Sequence, residues 1–122
     1  MTLVSTERIY TGKVVNLDVD TVRFPDGSTG QLEMLRHPGA SAVVPLLDEP
    51  RSHDPRVLLI RQFRHAADDF IWEIPAGRLD PGETPLKTAK RELQEETGFR
   101  AKTWKKLMSW YASPGYVAEK MT

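Results

Sequence analysis

Glu92, Glu95 and Glu96 stand at i, i+3 and i+4 within a stretch of helical periodicity. At 100° per residue, Glu92 and Glu96 lie about 40° apart around the helix, with Glu95 further round. Leu86, Ala89 and Leu93 form an apolar stripe beside them, which puts the carboxylates on the border of the expected buried face. Clustered like charges cost free energy unless something positive compensates. A hard divalent cation such as magnesium is the natural counterpart, because it takes oxygen ligands and binds through a few carboxylates plus substrate phosphates. Three glutamates alone would also suit a solvated acidic face braced by Lys87, Lys90 and Arg91. The flanking residues decide between the two.

Gly77 precedes Glu83 by six positions and Glu83 precedes Arg91 by eight; Arg91-Glu92-Leu93 then leads into Glu95-Glu96, Gly98 and Phe99. This order resembles, without a mismatch, the signature of the Nudix hydrolases: Gly, five residues, Glu, seven residues, Arg-Glu-aliphatic, one residue, Glu-Glu, one residue, Gly-apolar. Seven fixed residue types near 7% abundance each would coincide by chance roughly once in a hundred million. The resemblance implies a loop–helix–loop that holds divalent metal, on an α/β/α sandwich with a mixed sheet, and cleavage of a diphosphate linked to a further group. Carried over by position, Glu92 and Glu96 would ligate magnesium (manganese being the alternative), with Glu95 a ligand or an orienter of metal-bound water. The carbonyl of Ala76 matches a backbone metal ligand of part of the family. Glu83 and Arg91 would brace the loop against the helix.

Such chemistry suits a diphosphate. Its oxygens repel hydroxide, so hydrolysis requires neutralising them and lowering the pKa of water, and bound metal does both. No nucleophilic Ser or Cys arrangement competes, and His37, His53 and His65 fall in expected loops without ligand spacing.

Further stretches resemble the ADP-ribose pyrophosphatase branch: Ser113-Pro114-Gly115 after the glutamates, Arg36-His37-Pro38-Gly39-Ala40, Arg61-Gln62-Phe63-Arg64 and Trp72-Glu73-Ile74-Pro75-Ala76-Gly77. That branch implies hydrolysis of ADP-ribose to AMP and ribose 5-phosphate by a homodimer whose N-terminal strands cross to the partner. By the same resemblance, Arg36 and Arg64 are candidates to meet the phosphates, where a guanidinium fork suits the geometry. Glu73 is a candidate to position substrate or water, and Ser113, Pro114 and Gly115 join the substrate-binding set. Trp72, Trp104 and Trp110 are expected in core or dimer packing. Related dimers cleave GDP-mannose or other nucleotide sugars, and a Nudix-like module that binds such a ligand without cleaving it is a third reading.

The elements that must position these residues follow from local pattern. Near-alternation over Val15–Phe24, then Pro25-Asp26-Gly27-Ser28 and Gln31–Arg36, predicts a hairpin over residues 14–36. Residues 1–38 read as a small antiparallel β-subdomain, exchanged in the dimer, and 39–122 as a partial Nudix catalytic domain. Ala40–Leu47 reads as a strand buried on both faces, with further strands over Val57–Phe63, Phe70–Ile74 and Leu107–Tyr111. Pro75–Gly82 reads as loop. Thr84 as N-cap, Pro85 at the first helical position and Gly98 as cap glycine frame a helix to about Thr97.

The chain has 122 residues, with 17 Lys+Arg against 17 Asp+Glu, no cysteine, and a mean hydropathy of -0.45. That balance fits a globular α/β domain without disulfides, and lacks the basic footprint of a nucleic-acid or anionic-membrane binder. The first ten residues alternate polar and apolar without a signal-peptide core, and no apolar run is long enough to span a bilayer, so the expected location is the cytoplasm. Nudix domains usually continue through more strands and a second large helix. Few residues follow Phe99, so the resemblance implies that a C-terminal part is missing, including the loop that carries the branch's proposed catalytic glutamate.

Overall fold

Turn chemistry at Pro25–Ser28 produces the expected hairpin in the computed structural model, which describes residues Met1–Thr122. The elements run β1 (Thr2–Thr11), β2 (Asn16–Arg23), β3 (Thr29–Arg36), β4 (Ala40–Ala42), β5 (Ile60–Arg64), β6 (Asp69–Glu73), β7 (Ala76–Arg78), α1 (Pro85–Thr97), β8 (Trp110–Tyr111) and β9 (Lys120–Met121). The fold class is α/β, with one helix, a mixed sheet and an antiparallel N-terminal sheet. Two compact units are formed, Met1–Gly39 with Ser109–Met121, and Ala40–Met108 with Thr122.

In the first unit β1, β2 and β3 form an antiparallel sheet in that order. β2 and β3 pair from Asn16↔Arg36 to Arg23↔Thr29. Between them the Phe24 N–H donates to the Ser28 carbonyl at 2.8 Å and the Gly27 N–H to the Phe24 carbonyl at 3.0 Å, with Gly27 at φ +86°, where glycine meets no Cβ penalty. The buried side of β2 does not follow its apolar positions. Asp18, Asp20 and Val22 are buried, while Leu17 and Val19 are only half-buried. Ion pairs explain the inversion: Arg8 and Arg36 both pair with Asp18, Arg36 reaches Asp20, and Thr6 donates to Asp20 at 2.8 Å. β8 pairs antiparallel with β9, and Leu35 forms a parallel bridge to Val117, donating to the Tyr116 carbonyl and accepting from the Ala118 N–H.

In the second unit β4 and β7 pair antiparallel, Ala40 opposite Arg78 and Ala42 opposite Ala76. Thr122 donates its N–H to the Ala40 carbonyl and accepts from the Ala42 N–H, the pattern of a parallel neighbour, so the pairing around β4 is mixed. The expected long strand Ala40–Leu47 is only three residues of β4. Pro45 has no N–H for a ladder, and beyond it Leu46 bridges Val57 instead, leaving Val44, Leu46 and Leu47 exposed. The next expected strand likewise starts later, at Ile60, and the one at Leu107 is confined to Trp110–Tyr111. β5 and β6 form a separate hairpin.

α1 runs over the expected residues and packs on β4 and β7. Thr84 accepts from the Lys87 N–H at 3.3 Å, Pro85 occupies the first turn, and Gly98 at φ +75° donates to the Gln94 carbonyl at 2.9 Å. Its buried face consists of Thr88, Ala89 and Leu93. Leu86, expected in that stripe, is half exposed, and Thr88 takes the inner position because Glu83 accepts its hydroxyl hydrogen at 2.9 Å. The Pro75–Gly82 segment, expected as loop throughout, contains β7, since Ala76–Arg78 find a partner edge in β4.

Candidate active site

Pairing of β7 with β4 holds the chain flat beneath α1, and Gly77 in that strand lacks the side chain that would separate the two. A Cβ there would stand 1.9 Å from Glu92 Oε1, so the Glu92 carboxylate lies directly on the strand backbone. One residue earlier, the Ala76 N–H donates to Glu96 Oε2 at 3.0 Å. The strand thus receives one carboxylate at each of two successive residues, four positions apart on the helix. Glu95 points further round and is 59% exposed.

Burial raises the pKa of Glu96; the Ala76 N–H and Arg64 draw it back down, while the charges of Glu92 and Glu73 push it further up. Glu96 therefore sits in a negative field that a cation would relieve. Arg64 and Glu73, at opposite ends of the β5–β6 ladder, form a two-point pair through their side chains, Nε to Oε1 at 2.7 Å and Nη2 to Oε2 at 2.6 Å. The guanidinium holds the Glu73 carboxyl below its ordinary range, and the pair raises the Arg64 pKa.

Glu83, just before the helix, is nearly enclosed. It accepts from Arg91 Nη2 at 3.0 Å, from the Thr88 hydroxyl at 2.9 Å and from the Asp80 N–H at 3.4 Å. Arg91 first, then Thr88 and the Asp80 amide, overcome the desolvation cost and hold Glu83 at a pKa of about 2. Arg91 also donates to the Arg78 carbonyl at 3.1 Å, to Glu92, and to Glu95 at 3.2 Å, tying strand, loop and helix at one side chain.

Eight of the residues singled out from the sequence thus share the second unit: Arg64, Glu73, Ala76, Glu83, Arg91, Glu92, Glu95 and Glu96. The first unit holds the other four. Arg36 gives Nε to Asp18 Oδ2 at 2.7 Å and Nη2 to Asp20 Oδ1. Ser113, Pro114 and Gly115 make a turn in which the Ser113 carbonyl accepts from the Tyr116 and Val117 N–H groups. Thr88, Asp18 and Asp20 were not singled out. Thr88 reads as an ordinary helix residue, and an aspartate at every second position of a strand signals a buried charged face only once the facing arginines are known.

As the side chains stand, no three acidic or histidine groups converge on one point. Glu92 and Glu95 turn to Arg91, and Glu96 to the Ala76 N–H. The donor set nonetheless fits a hard divalent ion: every group is a carboxylate or carbonyl oxygen, and burial first, with the charge of Glu92 added, makes the ionised form of Glu96 unfavourable without a cation.

The chain is similar to known proteins over nearly its whole length. An ADP-ribose pyrophosphatase of Bacillus subtilis (strain 168) is 42% identical over 116 residues, which cover 95% of this chain and 60% of that protein. A methanol dehydrogenase activator of Bacillus methanolicus has the same identity and coverage. The crystal structure of an ADP compounds hydrolase superposes with a TM-score of 0.81 at 26% identity, over 98% of this chain and 63% of that one. The chain therefore spans about 60% of the length of these relatives. The NUDIX domain profile matches residues 36–122, and with the glutamates of α1 seated on β7 inside that range, the chain belongs to the NUDIX domain family.

Proposed function

We propose that the protein to which this chain belongs hydrolyses the diphosphate of ADP-ribose, adding water across the P–O–P bridge to give AMP and ribose 5-phosphate. The observation that carries the reading is the pair Glu92 and Glu96 seated on successive residues of β7, with Glu95 beside them and Glu96 in a field of like charge. The ADP-ribose pyrophosphatase of 42% identity and the ADP compounds hydrolase of the same fold support it.

Glu92, Glu95, Glu96 and the Ala76 carbonyl would hold a magnesium or manganese ion. Such an ion, when bound, neutralises phosphate oxygens and acidifies water. Around it the chain's own groups bind and orient. Arg64 offers its remaining N–H donors to phosphate oxygens, and Glu73 fixes the guanidinium plane through two hydrogen bonds. Arg36, held by Asp18 and Asp20, is the second phosphate donor, and Ser113-Pro114-Gly115 contribute substrate contacts. Glu83 and Arg91 keep loop and helix in register. Residues 1–38 form a subdomain exchanged between the copies of a homodimer, and 39–122 the catalytic part. The location is the cytoplasm, with no membrane or nucleic-acid partner; no helix is long and apolar enough to cross a membrane, and the charge balance is zero.

An assay of this chain on ADP-ribose and GDP-mannose, with magnesium and then chelator, tests the reading. Chelator-sensitive release of AMP from ADP-ribose alone is the expected result. Preference for GDP-mannose would keep the reaction and change the substrate. A second reading is a Nudix-like module that binds such a diphosphate ligand without cleaving it. Saturable ADP-ribose binding with no product, also after restoring the length of the relatives, would select it.

A further inference from the structure

Arg91 carries five N–H donors, and every one of them is engaged. Nε–H faces both oxygens of Glu83 at 3.5 and 3.4 Å. Nη2 donates to Glu83 Oε2 at 3.0 Å and to the Arg78 carbonyl at 3.1 Å. Nη1 donates to Glu92 Oε1 and to Glu95 Oε2, the latter at 3.2 Å. The two sides of the fork thus have different work. The Nε–Nη2 side fastens the helix to β7 and to the loop before Thr84, on an enclosed carboxylate. Nη1 alone spans two glutamates, one of them mostly exposed, and both belong to the oxygen set described above.

We infer that Arg91 Nη1 is a built-in counter-ion, which a divalent cation displaces from Glu92 and Glu95 while the Glu83 side of the same guanidinium stays in place. The inference rests on the reading of those glutamates as cation ligands. A carboxylate oxygen that accepts from Nη1 has less charge to offer a cation, and two positive groups in one gap repel each other. Nη1 pairing and cation binding therefore weaken each other by the same factor, as linkage requires. Glu83 and the Arg78 carbonyl hold Arg91 near the exchange, so the loop–helix junction is independent of the cation. The glutamates are kept from mutual repulsion in the cation-free chain, at the cost of a lower affinity than they would have by themselves.

Nitrogen-15 spectra of the arginine guanidinium groups in this chain, assigned with Arg91→Lys, read the displacement directly. Without cation, the Nη1 protons of Arg91 should rotate and exchange slowly. Saturating Mg2+ should release them, while the Nε–H stays protected. Affinity supplies a second readout: the paired change Glu83→Met with Arg91→Met removes both charges of the pair together, so neither is left facing the site of the other, although the Thr88 hydroxyl loses its acceptor. If that variant keeps its helical circular dichroism, it should bind Mn2+ roughly fivefold or more tightly than the unchanged chain. Saturable Mg2+ binding with Nη1 unmoved overturns the counter-ion inference and spares the functional reading, as does a folded paired variant that binds Mn2+ equally or more weakly. If the unchanged chain binds neither Mg2+ nor Mn2+, both fall. Should the paired variant not fold, the spectra of the unchanged chain decide.

Discussion

Gly77 and Glu92 share one space: a Cβ on the glycine would stand 1.9 Å from Glu92 Oε1 and 2.0 Å from its Cδ. The glycine is needed there for close approach of a side chain, since its φ is not in the left-handed region that Gly27, Gly39, Gly82 and Gly98 occupy. Gly77→Ala should therefore turn Glu92 away from β7 while β4 and β7 still pair. The expected loss is about 10- to 100-fold in divalent-cation affinity and in kcat/KM, as for other changes that misorient a ligand. Manganese titration together with circular dichroism checks it; an unchanged affinity in the folded variant would refute the close-approach argument.

Glu96 has the opposite relation to its surroundings, because its charge is unfavourable where it sits. Its pKa in the folded chain lies above the ordinary value, so the stability attached to the protonated form is complete at low pH and lost as pH rises through that folded pKa. Glu96→Gln keeps an oxygen for the Ala76 N–H and removes the charge. Without cation the variant should melt above the unchanged chain at pH 7 and together with it near pH 4, while ADP-ribose turnover disappears. Melting curves at the two pH values and one assay measure both halves, and retained turnover would remove Glu96 from the mechanism.

Glu83 reverses the sign. With a folded pKa of about 2 against an ordinary 4.5, its contribution is complete above the ordinary value and is lost as pH falls toward 2. Amides of the first turn of α1 should stay protected through pH 4 and open only near pH 2 to 3. Hydrogen exchange across that range follows it, and Glu83→Gln should remove this acid transition.

Thr88 is fully buried and its hydroxyl meets Glu83 at 2.9 Å. Thr88→Val keeps the shape and deletes one hydrogen bond to an ionised acceptor, so it should cost about 1.5–3 kcal/mol. Because Arg91 remains on Glu83, the helix should survive, and denaturant unfolding of the two chains measures the difference.

Much of this was legible in the residues, and what was not has physical causes. Local signals succeeded where the cause was local: Thr84, Pro85 and Gly98 fix α1, and Pro25-Asp26-Gly27 fixes the β2–β3 turn. They failed where the partner was distant. Nothing near Ala76 announces a strand, because its ladder partner Ala42 lies far back in the chain. Leu35 likewise bridges Val117, a pairing that no window of residues can contain. The buried face of β2 does not follow the apolar alternation, because charge there is balanced by Arg8 and Arg36 on the two neighbouring strands. The glutamate spacing, by contrast, gave the right helix face. What it left out was the strand backbone on which Glu92 and Glu96 come to rest.

The charges of α1 are also placed against its own macrodipole. No acidic residue stands in its first turn and no basic one in its last, where Glu95 and Glu96 are found instead. The partial negative charge of a helix C-terminus repels carboxylates by about 0.3–1 kcal/mol each near the surface. The helix end thus carries a standing electrostatic load, which the Gly98 cap restrains but does not remove. A cation bound among these glutamates would lift that load as well as their mutual repulsion. The last turn of α1 is therefore a natural reporter of occupancy: its amides should exchange fastest in the chelated protein and slow more than any others when the ion arrives.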